Sequence, residues 1–345
     1  MRFIHTADLH LSAPIVGSSA RTALRRGGLQ VLEQIIRYAE SNGIPHMVIA
    51  GDLFDTPTPS SAILGAVRAM FEQTSLRIWM VAGNHDPLTD GGYLGVDWSE
   101  NVHIFGKTPE CVATSDGVFA GVSFYEGMNQ HPLVGLRVNS LCSVGIFHGS
   151  LRDSSPAYRI DETALAESGL GYAALGHIHK TSEPVYVGKT LVGTCGSPLS
   201  HGFDELGERS FFEVEVNEGG AVWKRVVTDS IRFYEEKIEI DETMSAADVL
   251  GKLMNSASRY KERDIFRFRL VGQTALAMPT ALEEYPALVE IIDETTLSAD
   301  VEKLASEQSL RGFFVSEMLE KLAAAPLEER HKFEAALRLG LEAFE

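Results

Sequence analysis

The sequence is poor in cysteine and has no long apolar runs. Its 345 residues include three cysteines, Cys111, Cys142 and Cys195, which are far apart and form no CxxC pair. This spacing argues against a disulfide framework or a zinc knuckle and favours a reducing compartment. No run of 18 or more apolar residues is present, and the start, MRFIHTADLH, lacks the apolar core of a signal peptide. We therefore expect a cytoplasmic protein with no membrane partner.

Positive charge is also scarce. Lysine and arginine total 30 against 48 aspartates and glutamates, a formal net charge of −18. This balance argues against a large basic nucleic-acid surface. It does not exclude nucleic acid, because divalent metals can supply local positive charge, and carboxylates used as metal ligands inflate the negative count.

Short apolar runs alternate with helical patterns along the first half of the chain, which predicts an α/β fold. The leucine and isoleucine spacing predicts a helix over 21–41. From about residue 188 the pattern becomes all-β. We divide the chain into a core over 1–232, a small βαβ capping domain over 233–297 and a helical hairpin over 298–345, which is broken at Pro326. The acidic run over 283–302 is interpreted as solvated surface.

Five apolar strands each end abruptly in polar residues. Ligand sites in open α/β sheets collect at such carboxyl ends. The five segments are FIHTADLH with Asp8 and His10, MVIAGDLFD with Asp52 and Asp55, WMVAGNHD with Asn84, His85 and Asp86, VGIFHG with His148, and AALGHIH with His177 and His179.

These residues have the chemistry of a metal site. Asp8 and His10 are two positions apart, as are His177 and His179, so each pair points the same way in an extended segment. Oxygen and nitrogen donors without a thiolate suit Mn²⁺, Fe²⁺ or Zn²⁺. The alternative is that each residue serves separately as a turn or cap residue. His201, after GSPLS, either lines the site or lies on a surface loop.

The motifs DxH, GDxxD, GNHD, a lone histidine in HG, and GHxH occur in this order over 1–201 and resemble the calcineurin-like metallophosphoesterase superfamily. The resemblance implies a four-layer α-β-β-α sandwich that holds two divalent ions, with Mn favoured and Fe or Zn as alternatives. It implies His85 as the catalytic residue. Asp55 and Asp86 each either orient a ligand histidine or cap a loop. It assigns Asp8, His10, Asp52 and His179 to one metal, and Asp52, Asn84, His148 and His177 to the other.

HTADLHL, GDLFD and CGSPLSHGFDE further resemble the SbcD- and YhaO-type nucleases. That resemblance implies a DNA exo- or endonuclease subunit, a homodimer, and C-terminal helices that dock on an SbcC-like coiled-coil ATPase. The chain has no GxxxxGK[ST] motif, so ATP hydrolysis would belong to the partner. A basic run either contacts DNA phosphates or is a solvated face. Its candidate contacts are Lys252, Arg259, Lys261 and Arg263.

Other functions remain open. The chain could be a small-molecule phosphodiesterase or nucleotide hydrolase, or a metal-containing scaffold that recruits an ATPase to DNA. A serine/threonine phosphatase is disfavoured, because Thr56 stands where that group has arginine and Asp86 where it has glutamate. The loss of a phosphate-clamping arginine fits diesters better than monoesters.

Overall fold

The structure is a computed structural model that describes the chain except residues 12–26, 132, 134, 262, 283–284, 286–287, 299 and 345. The chain divides into two compact units, Met1–Arg232 and Phe233–Glu345. The further division of the second unit at residue 297 stays a prediction.

The first unit is built from twelve strands and three α-helices among the described residues. The strands are β1 (Arg2–Thr6), β2 (His46–Ala50), β3 (Arg77–Val81), β4 (Val102–Ile104), β5 (Glu110–Ala113), β6 (Val118–Val122), β7 (Ser143–His148), β8 (Tyr172–Gly176), β9 (Ser182–Val187), β10 (Thr190–Thr194), β11 (Ser210–Asn217) and β12 (Gly220–Val227). The helices are α1 (Gly27–Ser41), α2 (Ser61–Gln73) and α3 (Glu162–Glu167).

Two six-stranded sheets organise this unit. The first has the order β12-β11-β1-β2-β3-β4, and the second β5-β6-β7-β8-β10-β9. Strands β1 to β4 pair in parallel, as do β6, β7, β8 and β10. The predicted α/β fold is therefore confirmed, with two sheets and flanking helices. The parallel order gathers the carboxyl ends of β1, β2 and β3 in one sheet, and those of β7 and β8 in the other.

Apolar residues pack on both faces of the central strands, as parallel strands covered on two sides require. One core cluster joins the two sheets, with Phe3 and Trp79 of the first packing on Phe119 and Tyr172 of the second. A second cluster joins the first sheet to α1 and α2, and a third joins the second sheet to α3. All residues of β2 are buried, and so are all residues of β1 and β3 except the first of each, which holds the strand ends rigidly.

The second unit contains a three-stranded parallel sheet with the order β13-β14-β15. Its elements are β13 (Phe233–Ile240), α4 (Ala246–Ala257), β14 (Ile265–Gln273), β15 (Leu288–Thr296), α5 (Asp300–Ala305), α6 (Leu310–Ala324) and α7 (Arg330–Glu342). Ser245 and Asp248 form a reciprocal capping box that begins α4.

The acidic run over 283–302 contains a strand that the sequence pattern does not predict, β15. Its glutamates Glu290 and Glu294 are 48% and 37% exposed, and they bind arginines of β14 across the sheet. The C-terminal hairpin is preceded by the short helix α5, since the chain also breaks at 306–309. The start of the helix over 21–41 lies outside the described residues. Within the described part of the chain, no helix has both the length and the apolarity needed to cross a bilayer.

Candidate metal centre

The side chains at the five strand ends converge in the structure. Three overlapping groups each have their donor atoms within 4.8 Å of one another. They are Asp8 with His10 and His179, His10 with Asp52 and His85, and Asp8 with Asp52 and His148. Asn84 adjoins the last group through His148, and His177 in turn contacts Asn84. All seven residues predicted as metal ligands therefore lie in one cluster.

The backbone at this cluster is strained. Among the described residues, four that are not glycine have positive φ: Asp8 at 54°, His10 at 43°, Asp52 at 50° and His177 at 94°. All four are predicted metal ligands. Such conformations cost about 1–3 kcal/mol each and persist where the surrounding structure or a function requires them. The chain turns sharply at these residues because their side chains must face one point.

Close approach between the two loops explains the glycine of the GNHD motif. A Cβ at Gly83 would lie 2.1 Å from Oδ1 of Asp52, so no other residue fits without movement. The same Asp52 oxygen accepts a hydrogen bond of 2.9 Å from the backbone N–H of His85. The motif thus packs its backbone directly against the carboxylate that the two metals would share.

Each of the four histidines predicted to bind metal is anchored on its outer side. His10 contacts Asp55 through Nδ1 at 3.1 Å, and His179 contacts Glu205 through Nδ1. Donation of these N–H groups outward leaves each Nε2 as an acceptor. The two Nε2 atoms lie 3.0 Å apart. Two lone pairs at this distance repel one another, unless a cation or a proton lies with them.

The second pair of histidines shows the same arrangement. His148 contacts the carbonyl oxygen of Ala50 through Nδ1 at 3.0 Å, and His177 contacts Asp153 through Nε2 at 3.1 Å. Their inner nitrogens both face Oδ1 of Asn84, at 2.9 and 3.1 Å. An amide oxygen cannot donate, so acceptors again converge. Outer partners that fix the tautomer of a histidine in this way are typical of metal ligands.

The electrostatics of the cluster also favour a cation. Burial acts to raise the pKa of Asp52, but the charge and hydrogen bond of His148 hold it well below its usual range. Burial acts to lower the pKa of His148, yet Asp52 and Asp8 raise it to about 9. Burial raises the pKa of Asp8 to about 6. Without a metal, the two buried carboxylates draw a second proton onto His148, and that proton occupies the inner nitrogen. A divalent ion would replace this proton, so the donor set fits a metal site.

His85 lies at the open rim of the cluster. Its side chain is 47% exposed, and its ring stands perpendicular to that of His10 with centroids 4.6 Å apart. Oδ1 of Asp55 lies 3.4 Å from Nδ1 of His85 and 3.1 Å from Nδ1 of His10. Asp55 therefore contacts both rings, which corresponds to the orienting role and not to an isolated loop cap.

Of the two roles predicted for Asp86, its contacts correspond to the capping of a loop. It accepts hydrogen bonds from the backbone of Gly83 at 2.7 Å and Phe54 at 2.9 Å, and from the hydroxyl of Tyr93 at 2.5 Å. These bonds fasten the loop after β3 to the loop after β2. Burial, followed by the charge of Asp52, raises the pKa of Asp86 to about 7.

The residue types alone did not reveal three neighbours of the cluster. Glu205 and Asp153 contact His179 and His177, and the ring of Tyr158 stacks on His177 with centroids 4.8 Å apart. Asp153 and Tyr158 belong to the segment between β7 and α3, which has no motif of its own. Glu205 lies within the quoted run CGSPLSHGFDE, but nothing in that run distinguishes a buried carboxylate from an exposed one. His201 lines the site, with its ring 5.5 Å from that of His10.

The candidate DNA contacts belong to the second unit. Arg259 forms a 2.6 Å ion pair with Glu236, and Lys252 donates to the carbonyl of Glu239 at 3.0 Å. Lys261 and Arg263 are exposed. Arg259 and Lys252 are thus engaged within the unit. A role in DNA contact stays a prediction.

Comparison with known proteins agrees with this geometry. The sequence model of the family described as "Calcineurin-like phosphoesterase" matches residues 1–181, more than half of the chain. The chain belongs to this family. Calcineurin-like phosphoesterases hydrolyse phosphoester bonds, and the cluster described above lies within the matched residues apart from Glu205 and His201.

Two relatives of this phosphoesterase extend the similarity. The "Uncharacterized metallophosphoesterase YhaO" of Bacillus subtilis is 24% identical over 285 residues, covering 76% of the chain and 69% of the relative. The "DNA double-strand break repair protein Mre11" of Methanopyrus kandleri is 26% identical over 321 residues, covering 82% and 67%. A solved dimetal phosphatase from Danio rerio is 13% identical with a TM-score of 0.45, covering 65% of this chain and 95% of that structure.

Proposed function

We propose that this chain is a dinuclear metal-dependent phosphodiesterase that acts on DNA, as an exo- or endonuclease subunit of the SbcD/YhaO type. The observation that carries the proposal is the orientation of four imidazoles, each anchored outward through one nitrogen. The inner nitrogens of His10 and His179 face each other, and those of His148 and His177 face the amide oxygen of Asn84. The similarity to the Mre11 relative supports DNA as the substrate. We propose Mn²⁺ as the metal, with Fe²⁺ or Zn²⁺ as alternatives that the same donors accept.

We assign the residues of the cluster to two metal ions and to proton transfer. Asp8, His10, Asp52 and His179 would hold one ion, and Asn84, His148 and His177 would hold the other together with Asp52. Two such ions supply a nucleophile at neutral pH and neutralise charge on the attacked phosphate. His85 is half-exposed at the rim, where its imidazole can protonate the leaving oxygen.

Two cations beside the cluster support an anionic substrate. Arg152 and Lys180 line one cleft of about 710 Å³, which also includes Asp153, the partner of His177. Within the described part of the chain, neither cation has an ion-pair partner. In a protein with a net charge of −18, such cations favour a substrate that carries phosphates.

The test is hydrolysis by the metal-stripped chain resupplied with Mn²⁺, with single-stranded DNA, double-stranded DNA and bis-p-nitrophenyl phosphate offered in parallel. We expect cleavage of DNA and of the small diester, and loss of both in Asp52→Ala. Cleavage of the small diester with DNA left intact would favour the small-molecule phosphodiesterase. Absence of all hydrolysis, with metal bound, would favour the scaffold.

His85→Ala sharpens this test. General acid catalysis contributes about 10²- to 10⁴-fold, so the rate of diester hydrolysis should fall by that factor. Metal binding should not change, since no predicted ligand is removed. Stopped assays with both substrates and a Mn²⁺ titration measure the two quantities. A variant that hydrolyses DNA at the wild-type rate would contradict the role of His85.

We further propose that the C-terminal helices dock an SbcC-like coiled-coil ATPase. Leu310 and Phe313 of α6 are 77% and 71% exposed, and Leu339 of α7 is 61% exposed. The test is co-purification of the ATPase with wild-type chain and with Phe313→Glu. Loss of the complex with unchanged diester hydrolysis is expected, and an intact complex would contradict this docking surface. The homodimer and the cytoplasmic location stay predictions.

A further inference from the structure

A buried carboxylate outside the predicted ligand set faces one half of the cluster. Glu205 is 6% exposed, and its Oε1 accepts from Nδ1 of His179. Its Oε2 accepts from the backbone N–H of His201 at 3.1 Å. A buried carboxylate without partners would be costly, so these bonds determine where the group can lie.

Arg209 completes a closed set of contacts around His179. Its guanidinium donates to the carbonyl oxygen of His179 at 2.9 Å and to the hydroxyl of Ser200 at 2.8 Å, and it lies 3.7 Å from Oε2 of Glu205. The same Ser200 hydroxyl donates to the carbonyl oxygen of Glu205 at 2.7 Å. The ring and the backbone of His179 are therefore both held by the segment that runs from Ser200 to Arg209.

Three imidazoles lie together on this side of the cluster, and two of them, His179 and His201, contact the carboxylate of Glu205. The ring of His10 lies 4.8 Å from that of His179 and 5.5 Å from that of His201. Nδ1 of His201 lies 3.6 Å from Oε2 of Glu205, and its Nε2 faces the carbonyl of Leu9 at 3.3 Å. The other half of the cluster has no such contact, because a backbone carbonyl anchors His148 and Asp153 anchors His177.

We propose that Glu205 is a positioning residue for divalent-cation binding, which acts through His179 and is held in place by Arg209. By accepting the proton of Nδ1, it keeps the lone pair of Nε2 directed at Asp8 and His10. Its loss should therefore weaken the binding of the ion that those residues hold more than the binding of the second ion. This inference rests on the proposed dinuclear function.

The experiment is a calorimetric titration of the metal-stripped full-length chain with Mn²⁺ alone. Wild type should bind two ions. In Glu205→Ala, one of the two events should weaken by about 10- to 100-fold, the usual effect of losing an outer-shell partner. Glu205→Gln keeps an oxygen that can accept from Nδ1 but loses the charge, so it should weaken the same event by less. Glu208→Gln, three residues away and exposed, is the matched control and should bind as wild type.

Thermal unfolding of the stripped variants separates positioning from a purely structural role. Selective weakening of one event in Glu205→Gln, with the unfolding midpoint of the stripped chain unchanged, supports the proposal. Equal weakening of both events, or no change in either, would overturn it. If Glu205→Ala does not fold, the isosteric Glu205→Gln carries the test. Wild type that binds Mn²⁺ in two events but cleaves no diester would remove the proposed function and leave the Glu205 result standing.

Discussion

Each unit of this chain carries one dense cluster of ionisable residues on its parallel strands, and the two clusters differ in one respect. On the sheet of the second unit, Arg267 binds Glu235 and Glu290, and Arg269 binds Glu294. These groups are partly exposed, and each charge has its opposite beside it. At the strand ends of the first unit, acceptors face acceptors in a buried space. The first arrangement is complete as it stands, and the second needs a cation.

The comparison of these two clusters shows that the types of residue present and their density along the sequence do not identify a functional site. Arg267 and Arg269 follow the candidate DNA contacts closely in sequence and are likewise basic, yet both form ion pairs within their own sheet. The strand-end cluster is distinguished by burial, by positive φ at four of its residues, and by outer partners that fix the imidazoles. Each of these properties can be tested by a substitution.

The largest effect is expected from Asp52→Asn. The amide keeps an oxygen that can accept from the N–H of His85 but removes the charge that both ions would share. The affinity for metal should fall by more than the factor of about 10 to 100 that is typical when a partner of a ligand histidine is lost. Diester hydrolysis should fall to background. Glu235→Gln, in the ion-paired cluster, is the matched control and should retain both. Substantial hydrolysis by Asp52→Asn would remove the distinction between the clusters.

Gly83→Ala tests the close approach at the strand ends. The added methyl group would lie 2.1 Å from Oδ1 of Asp52, so the carboxylate or the loop must move. A displacement of about 1 Å in a catalytic group can cost about a hundredfold in rate, which we expect for diester hydrolysis. The control is Gly65→Ala in α2, where the space is open. That change should leave the rate as it is and stabilise the helix by up to about 1 kcal/mol.

His5 offers a contrast within the first unit, since it is a buried histidine with both nitrogens satisfied. Its Nδ1 faces the hydroxyl of Tyr172 at 2.9 Å and its Nε2 the carbonyl of Leu175 at 3.2 Å. Burial lowers the pKa of His5 from 6.5 to about 3, although the bond to Leu175 opposes this. Between these values the unfolded chain binds a proton that the folded chain does not, so stability is lost as the pH falls below 6.5.

At pH 5 this difference lowers the free energy of unfolding by about 2 kcal/mol relative to neutral pH. Urea denaturation of the metal-stripped chain at pH 7 and pH 5 measures it. In His5→Gln the fall between the two pH values should be smaller by that amount, whatever the substitution does to stability at pH 7. His331→Gln, at an exposed position, serves as control. The same fall in His5→Gln as in wild type would assign the acid sensitivity to other groups.

The smallest effect is expected in the ion-paired sheet. Arg267→Gln removes pairs whose side chains are 23–48% exposed, and such pairs contribute about 0–1 kcal/mol to stability. Metal binding and hydrolysis of the small diester should not change, as a Mn²⁺ titration and the diester assay will show. A loss of several kcal/mol in chemical denaturation would mean that the second unit depends on these charges more than their exposure indicates.

The sequence determined much of this protein by itself. Apolar runs that stop at Asp8, Asp52, Asn84, His148 and His177 predicted both the parallel strands and the edge where their polar ends meet, because β-strands covered on both faces leave only their ends for polar groups. The order of the five motifs also indicated the family. These features are local, so they can be read along the chain.

Only the tertiary structure decided which charged side chains have an ion-pair or hydrogen-bond partner. Glu205 and Asp153 are distant in sequence from each other and reach the ligand histidines through loops whose course no periodic pattern predicts. Strand β15 was missed because the acidic residues of its exposed face obscured its apolar alternation, and their partners lie on a neighbouring strand. The pairing of strands, the burial of side chains and the tautomers of histidines depend on contacts between segments that are distant in sequence. A pattern of neighbouring residues does not predict those contacts.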